Sequence, residues 1–146
     1  MNMVPGNNTP PLLGTVRPHH PVHLAGDWDG PGHITVTFSN YGDNIPRDLA
    51  RVCTARASID AWRKVRTVWN EPIGKSVLVY DHSDVFLHIM PAPAMDWKML
   101  YYVSLVLDNF EDGFDSMAFD FEAEVPGVEG FAATGNLTMF PPLAPS

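Results

Sequence analysis

The chain has 146 residues, of which 45% are hydrophobic and 11% aromatic, and carries a formal net charge of −8. This composition suits one globular domain large enough to bury a core, and it excludes the disordered and collagen-like classes. The acidic balance argues against nucleic acid as a partner, and a single cysteine, Cys53, excludes a disulfide framework.

Charge is unevenly spread. Residues 45–70 carry six basic side chains against two acidic ones, whereas residues 71–146 carry two lysines against twelve carboxylates. Such asymmetry favours ion pairing within the chain or head-to-tail association. The opening residues have neither a basic n-region nor a useful apolar run. No secretory signal or membrane span is therefore expected, and the location is expected to be cytoplasmic unless a leader was removed.

Residues 1–32 hold six prolines and five glycines and read as an irregular arm, with Trp28 as the anchor that pins it to the domain. His19, His20 and His23 have metal-ligand chemistry, but nothing in the arm orients them. Residues 33–40 alternate strictly, which predicts a strand with Ile34, Val36 and Phe38 facing the core. Asn44 is a candidate N-cap for a first helix over 46–69, with Pro46 in its first turn. Its apolar stripe is read as Ile45, Leu49, Val52, Ile59 and Trp62, and Cys53 as a small buried hydrophobe. Two strands over 75–80 and 84–90 flank D-H-S-D as a hairpin. In the second, Val85, Leu87 and Ile89 point one way and Phe86, His88 and Met90 the other.

A second helix follows P-A-P-A, with Asp96 in its first turn. At the helical period Trp97, Leu100, Tyr101, Ser104 and Leu107 share one side, while Met99, Tyr102 and Val106 lie opposite. A helix apolar nearly all round is covered on both sides, by its own sheet and by a partner, a ligand or a second layer. Residues 117–125 alternate cleanly, with Asp120, Glu122 and Glu124 on the wet side, and residues 130–139 return as the last strand. Residues 141–146 form a Pro-rich tail. The order β-α-β-β-α-β-β predicts a single α+β domain over 33–140, with two helices on one face of a mostly antiparallel sheet. It contains the split β-α-β pattern of ferredoxin-like domains plus an extra strand.

The runs V-T-F-S-N-Y-G-D-N-I-P, P-A-P-A-M-D-W and F-D-F-E-A-E-V-P-G-V-E-G resemble a group of small, uncharacterised filamentous-fungal proteins over residues 33–139. The resemblance implies a fungal source and this α+β order. Many members of the group are secreted. It implies no established activity and carries over no catalytic residue.

The sheet face away from the helices is the candidate site for chemistry. There His88 beside Asp120 or Glu122 would form a proton-transfer dyad, flanked by Phe86 and Met90. No Gly-rich phosphate loop, G-x-S-x-G or H-E-x-x-H occurs, so neither cofactor nor metal is expected. Asn7 and Asn136 lie in N-x-T sequons, which matter only in a secreted chain.

Two functions remain open on this reading. The leading one is a small soluble binding module that self-associates or holds a hydrophobic molecule. Its contact residues would be Phe86, Met90, Trp97, Met99, Tyr101, Tyr102 and Val106. The alternative is a cofactor-independent isomerase, cyclase or lyase acting on an apolar metabolite through His88, Asp120 and Glu122. Neither nucleic acid nor membrane is an expected partner.

Overall fold

The computed structural model describes residues 17–140; the expected tail, the Asn7 sequon and the first half of the expected arm lie outside them. Eight elements follow in chain order: β1 Val22–Gly26, β2 Ile34–Ser39, α1 Arg47–Trp62, β3 Leu78–His82, β4 Val85–Pro91, α2 Trp97–Gly113, β5 Phe119–Glu124 and β6 Ala133–Met139. The strands form one sheet in the order β1-β2-β5-β6-β4-β3, with every neighbouring pair antiparallel. Both helices pack on one face of it, making an α+β fold.

Both β-α-β units are split. β4 and β5 run parallel with β6 between them, and β2 and β3 run parallel with three strands between. The added last strand is thus central, and the β5–β6 hairpin separates β2 from β4.

Alternation sets the two faces. Ile34, Val36 and Phe38 of β2, Phe119, Phe121 and Ala123 of β5, and Val85, Leu87 and Ile89 of β4 are all buried beneath the helices. Over β2 and β5 the rings of Phe38 and Phe110 stack at 4.0 Å, and Phe119 meets both edge-on at 5.2 Å. The β3–β4 hairpin turns more tightly than D-H-S-D suggested, with Ser83 in a left-handed conformation (φ 52°).

Four expectations change. The arm is not irregular throughout, because Val22–Gly26 pairs along β2 as an edge strand. α1 stops at Trp62, and residues 63–70 continue as turns that bond three residues back, such as Val65 N–H to the Trp62 carbonyl. Ile45 and Cys53 are buried as expected and Leu49 packs half-buried on the core, but the rest of the core stripe is different. Ala50, Cys53, Thr54, Ala57 and Ala61 are buried against α2 and the sheet, while Ile59 is 49% exposed and Trp62 54%. The small side chains let α1 lie close, so its bulky residues point outward. Asn44 does not cap α1; Pro46 holds the cap position without a side-chain bond. Asp96 does cap α2, accepting the Met99 N–H at 2.8 Å.

β1 also accounts for the second apolar side of α2. Val106 is buried against Gly26, where an added Cβ would collide with a Val106 methyl. At Val106 the covering layer is therefore internal, whereas Met99 and Tyr102 remain half-buried. No helix among the described residues is long and apolar enough to cross a membrane.

Gly135, in central β6, faces the core beneath the Phe121 ring. A Cβ there would meet the His88 backbone carbonyl and lie 2.6 Å from the Phe121 ring. Gly135→Ala is expected to destabilise the fold by about 3 kcal/mol in urea denaturation, because backbone must move. Gly113→Ala, where nothing lies within 4 Å, is the control and should change stability by less than about 1 kcal/mol.

Candidate functional site

Strand register decides what the open sheet face can do. Ser39, Asp120, Asn136, His88 and Val79 form one cross-strand row; His23, Thr37, Glu122, Thr134 and Met90 form the next. His88 and Asp120 share a row, yet both are direct neighbours of Asn136, which stands between them. Two inter-strand steps separate their backbones by roughly 9–10 Å. Asp120 Oδ2 accepts instead from Asn40 Nδ2 at 2.8 Å. Glu122 lies in the adjoining row, beside Thr37 and Thr134.

The three residues expected to share a proton thus lie on one face, but no hydrogen bond joins the imidazole to either carboxylate. The His88 ring lies beside Phe86, with centroids 6.1 Å apart, and its Nδ1 is buried without a partner. A shallow depression of about 300 Å3 gathers Ser39, Asn40, Met90, Asp120, Glu122, Thr134 and Asn136, and His88 does not line it. Among the described residues no three His, Cys, Asp or Glu side chains converge as metal ligands, His19, His20 and His23 included. His23 Nδ1 is instead 2.8 Å from Thr37 Oγ1.

The expected contact residues of α2 divide. Trp97 and Val106 belong to the core, and the Lys64 ammonium lies 4.5 Å from the Trp97 ring centre. Met99, Tyr101 and Tyr102 are half-buried against the core. Phe86 is half-buried and Met90 exposed on the sheet face.

The outer face of the helix pair carries the apolar surface that no core role absorbs. Trp62 leans on Tyr101 at 5.2 Å and on Trp69 at 5.9 Å, and Tyr101 meets Tyr102 at 5.2 Å. Leu105, one turn along α2 from Tyr101, is 38% exposed. It borders a groove of about 310 Å3 between the helices, lined also by Ala55, Ser58 and Ser104. Sequence reasoning placed Ile59 and Trp62 inside. The signal that would have reversed this is the run of small residues at positions 50, 53, 54, 57 and 61, which forms a helical stripe of its own.

Beneath the groove the two helices join through polar groups. Arg47 of α1 donates to the carbonyls of Glu111 and Phe114 (2.9 Å to the latter), occupying the C-terminus of α2 where a cation suits the helix dipole. Arg51 pairs with Asp112 at 2.8 Å and approaches Asp108 at 3.8 Å. The acidic end of α2 therefore complements the arginines of α1. Glu111 is 2% exposed; its Oε1 accepts from Thr54 Oγ1 at 3.1 Å and its Oε2 has no partner. Burial pushes its carboxyl up to about 8, against the opposing effect of the Thr54 bond. Burial likewise pushes the Cys53 thiol up to about 11, and its sulfur lies 3.5 Å from the Val85 carbonyl, which makes it an inert core group.

No protein-family model, curated protein or solved structure matches the chain.

Glu111 predicts a pH dependence. Its folded-state value of about 8 lies above the ordinary glutamate value of 4.5, so folding favours the protonated form. The associated stability is complete below about pH 4.5 and is lost as pH rises to about 8. Glu111→Gln removes that loss. In urea titrations its stability relative to the parent chain is expected to improve by about 2–4 kcal/mol between pH 5 and pH 8.5.

Proposed function

We propose that the chain is a non-catalytic interaction module that self-associates through the outer face of its helix pair. The observation that carries this reading is the exposed apolar cluster of Trp62, Ile59 and Leu105, backed by Tyr101. An exposed tryptophan flanked by exposed aliphatics above half-buried aromatics is the composition of interface centres rather than of ordinary solvated helix faces. The partner favoured is a second copy, because the pair is electrostatically self-complementary. α1 carries Arg51 and Arg56 and continues into Arg63 and Arg66, while the C-terminal half of α2 carries Asp108 and Asp112. A two-fold axis through the groove would lay the basic helix of each copy on the acidic helix of the other. The Arg51–Asp112 contact is the same pairing made within one chain. The proton-transfer alternative has weaker support, since Asn136 stands between His88 and Asp120 and the depression that holds both carboxylates does not include the imidazole.

Light scattering over a concentration series tests the proposal. The parent chain is expected to pass from monomer to dimer with rising concentration, less readily at high salt. Trp62→Ala, at a position more than half exposed, should preserve the fold and weaken the dimer by roughly 30-fold, about 2 kcal/mol. A parent chain that remains monomeric throughout would overturn it.

A further inference from the structure

The sheet ends at β3, whose outer edge has no neighbouring strand among the described residues. Its sequence, L-V-Y-D-H, contains none of the proline or lysine with which exposed edges are commonly blunted. Val77 and Val79 are both largely exposed there. Between this edge and the flank of α1 runs a groove of about 480 Å3, lined by Arg56, Ile59, Asp60, Arg63 and Val79 to Asp81.

The charge of the groove is one-sided. Asp60 is already engaged, accepting from the Tyr80 hydroxyl at 2.6 Å and from Lys64 Nζ at 3.3 Å. Asp81 opposes Phe86 in the register and so faces the other side of the sheet. Arg56 and Arg63 are exposed and form no ion pair among the described residues. The groove thus offers unpaired backbone along one wall and two free guanidinium groups along the other.

We infer that this edge receives an extended acidic peptide segment of a partner protein, added as a seventh strand beside β3. Strand addition satisfies the open backbone groups of the edge, while alternate side chains give specificity. The spacing defines the segment. Arg56 and Arg63 are seven residues apart, roughly 10.5 Å along the helix axis, with Ile59 between them. On an added strand the helix-facing side chains recur every second residue, so the first and third lie about 13–14 Å apart. Long arginine side chains span the difference. The matching pattern is acidic-x-apolar-x-acidic, with the apolar residue over Ile59 and a carboxylate at each guanidinium. The pattern reads the same in both directions, so either strand polarity presents it. The inference goes beyond self-association; Ile59, Arg56 and Arg63 border both surfaces, so the peptide and a second copy compete for them, while Val79 and Tyr80 of the edge belong to the peptide site alone.

The test uses a fluorescein-labelled nonapeptide, T-V-E-T-V-T-E-V-T, titrated with the whole chain at low salt and read by anisotropy. The Trp62→Ala chain is titrated in parallel, which separates this surface from the self-association surface. Binding is expected to be about tenfold or more tighter than for the same peptide with lysines replacing its glutamates. A proline in place of the central valine, which removes an N–H and fixes its dihedral, should weaken binding by a similar factor, about tenfold. Arg56→Glu combined with Arg63→Glu should reverse the preference toward the lysine peptide, with unchanged far-UV circular dichroism marking an intact fold. If that double variant fails to fold, Arg63→Ala alone should reduce affinity for the acidic peptide and lessen its salt dependence. Absence of binding at about 1 mM, a level weaker than useful recognition, would overturn the inference. So would equal affinity for the proline peptide, or indifference to the arginine substitutions.

Discussion

The fold depends on how closely α1 can approach α2. Small side chains make that approach possible: Ala50, Cys53, Thr54, Ala57 and Ala61 on one helix, Ser104 on the other. Once the helices are that close, polar groups at their contact must satisfy one another, because water is excluded. Thr54 bonds Glu111 and Arg47 occupies the end of α2, while Arg51 holds Asp112 at the solvent-exposed margin of the seam. The same geometry expels the bulky residues of α1. Ile59 and Trp62 have no space inward, and their exposure is the counterpart of the tight seam below them.

Strand faces were legible because alternation is a local property. Ile34 to Phe38, Val85 to Ile89 and Phe119 to Ala123 each buried the expected side chains. The inner stripe of α1 was only partly legible, because apolar periodicity picks out its bulky hydrophobes, of which Ile45 is buried and Ile59 and Trp62 are exposed. On a closely packed helix the inner stripe is instead the one with the smallest residues. β1 was hidden among prolines and histidines, and its five residues form a strand because β2 provides a template along one edge. The central place of β6 was not legible at all, since alternation says which face a residue takes and never which strand lies beside it.

The same distinction governs the candidate site. That His88, Asp120 and Glu122 share a face followed from periodicity. Their separation followed from register, through the single residue Asn136 between two of them. Val106 looked like a contact residue because its covering strand was unrecognised, and Trp97 because nothing in the sequence shows Lys64 lying over its ring. Glu111 gave no warning in the sequence, where F-E-D-G reads as the wet end of a helix. Only the tertiary contact with Thr54 takes its carboxyl out of water.

The insertion of the β5–β6 hairpin between β2 and β4 ties completion of the sheet to β6, the last of the described strands. Residues 34–91 already contain β2, α1, β3 and β4, but β2 has no contact with β4 until two later strands fill the gap. During synthesis the helices therefore wait over a sheet split in two, with apolar faces uncovered until β6 leaves the ribosome. Among the described strands, the last one made is the one that closes the sheet. A nascent chain halted before Ala133 would hold two half-sheets, each ending in an unpaired edge.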